Sequence, residues 1–244
     1  MDGGPRVAIV TGGSSGIGLG VGRRLVADGY DVVLNARNAD KLQAAATGIG
    51  ARWAAGDCAD PDAFAAVVAV AGRVDLLVHA AGVMAGTFVR NETLHTFESV
   101  LRTNLTSAFV VAHAALPAMP AGGRIVFLSS SSSHAPQPGK AAYSASKAGL
   151  NAFASALGKE VERDGIAVHV VTTGPVATPM LDDVRFPMRT LGVADVVEAI
   201  AWLDTLPGNV VLPEIEISSV GDGPFAPEPF VPEAARKLGR TELT

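Results

Sequence analysis

The chain has 244 residues and a formal net charge of −5 carried by scattered acids and bases, with no basic block to meet a phosphate backbone, so nucleic acid is not an expected partner. No uninterrupted apolar run reaches the roughly eighteen residues of a membrane span, and the N-terminus lacks a charged-then-apolar leader, which predicts a soluble, cytoplasmic protein. Cys58 is the single cysteine, so no intrachain disulfide is expected, and the histidines His79, His95, His113, His134 and His169 lack ligand spacing, so no protein-built metal site is expected either.

Short β-branched runs alternate with longer Ala- and Leu-rich segments, the pattern of repeated strand-helix-strand units. The first strand, Val7 to Thr11, runs into Thr11-Gly12-Gly13-Ser14-Ser15-Gly16-Ile17-Gly18 and a helix from Gly16 to Asp28. Glycines between a strand and a helix let the backbone turn tightly against a diphosphate, and the helix N-terminus offers it free amide hydrogens. A nucleotide site is expected there, formed by Gly12, Ser14, Ser15, Gly16, Ile17 and Gly18.

The second strand, Asp31 to Asn35, ends in Ala36-Arg37. An NAD-selective site usually carries an acid here to hold the ribose 2′-hydroxyl, whereas an arginine grips a 2′-phosphate, so Arg37 points to NADP(H) over NAD. On its own Arg37 also reads as a surface base at a helix start. A helix from Asn38 to Thr47 and a third strand, Arg52 to Ala55, lead to Asp57, which either accepts a hydrogen bond from an adenine amino group or serves as a capping carboxylate. Cys58, by itself a small buried hydrophobe, is counted with Asp57 among the cofactor-bordering positions.

Asp60 is a plausible cap for a helix from Pro61 to Val70. The fourth strand, Asp75 to His79, is followed by Ala80-Ala81-Gly82, where the small Ala81 and Gly82 let a flat ring or ribose lie against the backbone. One long helix is expected from about Thr93 to Ala118. The fifth strand, Arg124 to Ser129, opens into a serine run. That run resembles a flexible loop in composition but stands at the carboxyl end of a strand, where ligands of open α/β sheets gather.

In the helix from about Ala141 to Asp164, Tyr143 and Lys147 stand four residues apart, which puts phenol and ammonium on one face. A neighbouring ammonium favours the phenolate, so Tyr143 is expected to exchange a proton well below the roughly pH 10 of a free phenol. A sixth strand (Ala167 to Thr172), a helix (Ala194 to Leu206) and a seventh strand near Glu214 to Ser218 complete the pattern. The expected architecture is an α/β, single-domain, doubly wound Rossmann fold over residues 1–220, with a seven-stranded parallel sheet flanked by helices and a short substrate loop over 180–193. Residues 221–244 form a proline-rich tail, either mobile or docked through Phe225 and Phe230 over a cleft or a neighbouring subunit.

With these residues assembled, the chain resembles the short-chain dehydrogenase/reductase family from about Val7 to Ser219. Thr11 to Gly18 resembles the cofactor loop, Asp57 the adenine contact and His79 to Gly82 the family's Asn-Asn-Ala-Gly segment. The resemblance implies a catalytic tetrad of Asn104, Ser130, Tyr143 and Lys147. It also implies a segment closing on the nicotinamide at Gly174 to Met180, with Gly174, Val176 and Thr178 as contacts. Three departures stand out. His79 and Ala80 replace the two asparagines, implying a changed brace between central strands; Thr173 replaces a proline, implying a less rigid turn; and the substrate loop is short.

The activity implied is NADP(H)-dependent interconversion of a carbonyl and a secondary alcohol, hydride passing from the pro-S face of the nicotinamide. Tyr143 would act as proton donor, Ser130 would assist it, Lys147 would hold the ribose, and Asn104 would position a relay water. His134, Gln137, Met84, Phe88, Val176, Met180, Leu181, Phe186 and Met188 are available around the carbonyl. Their mostly apolar character favours a partly hydrophobic substrate, with His134 either a polar contact or a solvated loop residue. The family also implies a homodimer or homotetramer packed through the helices of Asn104 and Tyr143, where Ala145, Ala148, Gly149, Ala152 and Ala156 would permit close approach or would pack on their own sheet. The alternative function is a non-catalytic NADP(H) sensor on the same fold.

Overall fold

The computed structural model describes residues 4–182, 184, 187–220 and 230–240. Seven strands pair throughout in parallel, in the order β3-β2-β1-β4-β5-β6-β7. They are β1 (Val7–Thr11), β2 (Asp31–Ala36), β3 (Arg52–Ala55), β4 (Leu76–His79), β5 (Arg124–Ser130), β6 (Ala167–Thr173) and β7 (Glu214–Ile217). The chain winds outward from β1 in one direction and, from β4, in the other. A crevice therefore opens at the carboxyl edge between β1 and β4.

Strand side chains alternate between two cores. Val7, Ile9, Val33, Ile125 and Phe127 pack with α3 (Pro61–Ala71), α5 (Ser107–Ala115) and α6 (Ala141–Val161) on one face. Ala8, Val10, Val32, Leu34 and Val126 pack with α1 (Gly16–Ala27), α2 (Ala39–Thr47) and α7 (Val193–Asp204) on the other. Burial on both faces explains why these strands read as continuous apolar runs. Caps set several helix starts: Asn38 Oδ1 accepts from Lys41 N, and Asp60 Oδ1 accepts from Asp62 N and Ala63 N.

The long helix expected over 93–118 is broken. It comprises α4 (Leu94–Leu101), a π-helical turn (Arg102–Thr106), α5 and a final 3₁₀ turn. The π turn bulges at Asn104, which is fully buried. Thr173 belongs to β6, opposite Ser130 of β5 and Ile217 of β7, so the position expected to loosen a turn is held in the ladder and the turn begins at Gly174.

The replaced asparagine at position 79 gives a directional chain. Ser107 Oγ donates to Thr103 O, leaving it to accept from His79 Nε2; Thr11 Oγ1 accepts from Ala81 N and donates to His79 Nδ1. His79 thus ties β1 to α5 as a neutral imidazole.

Residues 230–240 are seated beside the substrate loop. Phe230 and Met188 exchange both backbone hydrogen bonds, Ala234 N donates to Asp182 O, and α8 (Glu233–Lys237) buries Ala235. Of the two aromatic residues expected to dock, Phe230 is placed there; Phe225 lies outside the described residues.

Candidate active site

A cavity of about 900 Å³ runs along the carboxyl edge of the sheet. At one end lie Gly12, Ser14, Ser15, Gly16, Ile17 and Gly18, with Arg37, Asp57 and Cys58 at the ends of β2 and β3. Gly12 has φ +69, and a Cβ there would meet the Ala80–Ala81 backbone at 3.0 Å; a Cβ on Gly18 would lie 2.4 Å from Gly12 O. The turn therefore accepts only glycine at these two places, and it leaves the amides at the start of α1 open to the cavity. That cradle fits a dinucleotide diphosphate. Asp57 Oδ1 also accepts from Ala59 N and Oδ2 meets Arg102 at 3.4 Å, so the carboxylate both caps its loop and borders the cavity.

The far end gathers Ala81 and Gly82 after β4, Ser130 at the end of β5, Tyr143 and Lys147 on α6, and Gly174, Val176 and Thr178 after β6. Ser130 is held by a 3₁₀ turn (Ser131–Ser133) that it caps itself, its Oγ accepting from Ser132 N. Beyond that turn, Glu214 Oε1 receives hydrogen bonds from Thr172 Oγ1 and Asn151 Nδ2 and lies 2.7 Å from His134 Nε2, anchoring the serine segment to the sheet edge.

Tyr143 is buried, and both it and Ser130 border the cavity, with the Ser130 hydroxyl near enough to favour the phenolate. Burial pushes the phenol up, while the Ser130 hydroxyl pulls it down. This corrects the expectation of a phenol lowered by Lys147. The ammonium lies 6.0 Å from the ring centroid and donates instead to Leu128 O at 2.7 Å. Lys147 itself is brought down to about 8 by complete burial.

Asn104 does not border the cavity. Its Oδ1 accepts from Val83 N, and its Nδ2 donates to Val83 O and Ser146 Oγ, whose hydroxyl donates to Tyr143 O. Both amide hydrogens are committed, so only an Oδ1 lone pair is left for the expected relay water. The side chain works foremost as a brace between the loop after β4 and α6.

Of the expected substrate-end residues, Met84, Gln137, Val176, Met180, Leu181 and Met188 line the cavity. Phe88 and His134 do not line it: Phe88 is exposed and His134 turns to Glu214. Phe186 lies outside the described residues. Two lining cations went unnoticed in the sequence. Lys41, in the first turn of α2, joins Arg37, and Lys140, the cap position of α6, lines the cavity with Tyr143.

A family model described as short chain dehydrogenase matches residues 6–188. Acetoacetyl-CoA reductase of Cupriavidus necator is 35% identical over 223 residues, covering 82% of this chain and 91% of that protein. The 2-dehydro-3-deoxy-L-rhamnonate dehydrogenase (NAD(+)) of a Sphingomonas species is 35% identical over 208 residues, covering 78% of this chain and 84% of that one. Among solved structures, BdcA in complex with NADPH superposes with a TM-score of 0.80 at 29% identity, over 88% of this chain and 93% of the other. Family match, sheet order and relatives agree: the chain belongs to the short chain dehydrogenase family and is an oxidoreductase acting on CH–OH groups with a nicotinamide dinucleotide.

Proposed function

We propose that this chain interconverts a carbonyl compound and its secondary alcohol with NADP(H), using Tyr143 as the proton donor and acceptor. The observation that carries this reading is the meeting of Tyr143, Ser130 and Lys147 in the same cavity as the glycine turn. When bound, NADPH supplies the hydride. The α1 amides would hold its diphosphate, Arg37 and Lys41 its 2′-phosphate, Asp57 its adenine and Lys147 its ribose, with Ala81, Gly82, Gly174, Val176 and Thr178 lining the rest of the path.

Negative charge develops on the carbonyl oxygen during reduction, where the Tyr143 and Ser130 hydroxyls donate to it. A phenol raised by burial stays protonated at neutral pH and is ready to donate. Apolar walls from buried Val176 and Leu181 and half-buried Met188 exclude water from the transfer.

The same reading gives a homodimer or homotetramer. Ala145, Ala148, Ala152 and Ala156 are exposed on α6, and Phe109 of α5 is 54% exposed, so these residues do not pack on their own sheet. Following absorbance of NADPH and of NADH over a panel of ketones, aldehydes, quinones and enones tests the proposal. Turnover favouring NADPH is expected. Tight NADPH binding with no turnover across the panel would contradict it and support a sensor.

A further inference from the structure

Within the cavity, charge is unevenly placed. Arg37 and Asp57 stand just past β2 and β3, Lys41 lies in the first turn of α2, and Lys147 is held by Leu128 O. The remaining charged lining residue is Lys140, beside Gln137, Pro138 and the catalytic Tyr143. Its Nζ has no hydrogen-bond or ion-pair partner among the described residues, and burial alone lowers its pKa, with no neighbouring charge contributing.

This ammonium stands where folding disfavours it. Lys140 is the cap residue of α6, a helix of 21 residues, and makes no side-chain cap bond. Asp, Asn, Ser or Thr would each stabilise that end by accepting a free amide hydrogen, and a cation there opposes the helix dipole. A half-buried cation without a counter-charge adds a desolvation penalty. Each of these costs is offset when an anionic group enters the same end of the cavity. The other lining residues there, such as Met84, Met180, Leu181 and Met188, are uncharged and offer an anion nothing comparable.

We propose that Lys140 is a specificity-determining residue that binds an anionic group of the substrate, so that the preferred carbonyl compound carries a carboxylate or phosphate. This rests on the carbonyl-reductase reading above and narrows the expectation of a partly hydrophobic substrate: the walls are apolar, and the anchor is a cation.

Two probe pairs test it by NADPH oxidation: acetoacetate against methyl acetoacetate, and acetoacetyl-coenzyme A against its neutral N-acetylcysteamine thioester. The wild-type protein is expected to favour the charged member of one pair by at least about tenfold in kcat/KM. That preference should collapse toward unity in Lys140→Met and return in large part in Lys140→Arg. A preference in the first pair identifies a carboxylate near the carbonyl; in the second, a remote phosphate. Equal rates within both pairs, or a preference that Lys140→Met leaves intact, would overturn the proposal.

Calorimetric titration of the NADPH-loaded protein with sodium 3-hydroxybutyrate, its methyl ester and 3-hydroxybutyryl-coenzyme A reads the same charge dependence without turnover. Charge-dependent binding without turnover would retire the carbonyl-reductase reading and keep the anion site. Turnover without charge preference would do the reverse, and loss of both would end both.

Discussion

Ser130 is the one group that opposes the upward push of burial on the Tyr143 phenol. In the alcohol-to-ketone direction Tyr143 must be deprotonated to act as base. Ser130→Ala removes the opposing hydroxyl, so the acidic limb of that pH profile should move to higher pH, with kcat falling by about 10²-fold or more from the lost donor. An unmoved limb would contradict the coupling. At the other end of the cavity, Arg37 is exposed and makes no ion pair among the described residues. Arg37→Glu would place a carboxylate against a 2′-phosphate, and kcat/KM for NADPH relative to NADH should fall by at least about tenfold. A retained ratio would remove Arg37 from cofactor choice.

His79 shows how one element holds two others. Complete burial pushes its imidazole down to about 3 from an ordinary 6.5. The folded state therefore refuses a proton that the unfolded chain accepts, and stability present above about pH 6.5 is lost as pH falls toward 3, by up to about 1.4 kcal/mol per unit. His79→Asn should flatten the dependence of urea-unfolding free energy on pH in that window; an unchanged slope would place the acid sensitivity elsewhere. What was legible in the sequence follows from range. The glycine turn and the Tyr143–Lys147 pair are local spacings on one strand end and one helix face. The π turn is not local: it exists because Asn104 reaches both backbone groups of Val83 and also Ser146, and the apolar pattern of residues 93–118 carries no trace of that demand. The seat of Phe230 on Met188 is a backbone contact between distant segments, invisible to periodicity. Lys140 did leave a signal, a cation where a helix cap prefers an oxygen acceptor.

Across the whole molecule, parallel winding outward from β1 and β4 brings seven strand ends to one edge, so residues as distant as Gly12 and Thr178 border one cavity. The opposite arrangement holds on the outer faces of α5 and α6, where Phe109 stacks on His113 and stays half exposed. If these faces join subunits, Phe109→Glu should lower the mass seen by light scattering to that of a smaller assembly or monomer; a wild-type protein already monomeric would contradict the assembly. The catalytic account is tested most directly by comparing Tyr143→Phe with the wild type, measuring NADPH-dependent carbonyl reduction together with NADPH binding by fluorescence. The account predicts turnover reduced by at least about 10²-fold with cofactor affinity nearly unchanged. A variant retaining most of its activity would contradict it.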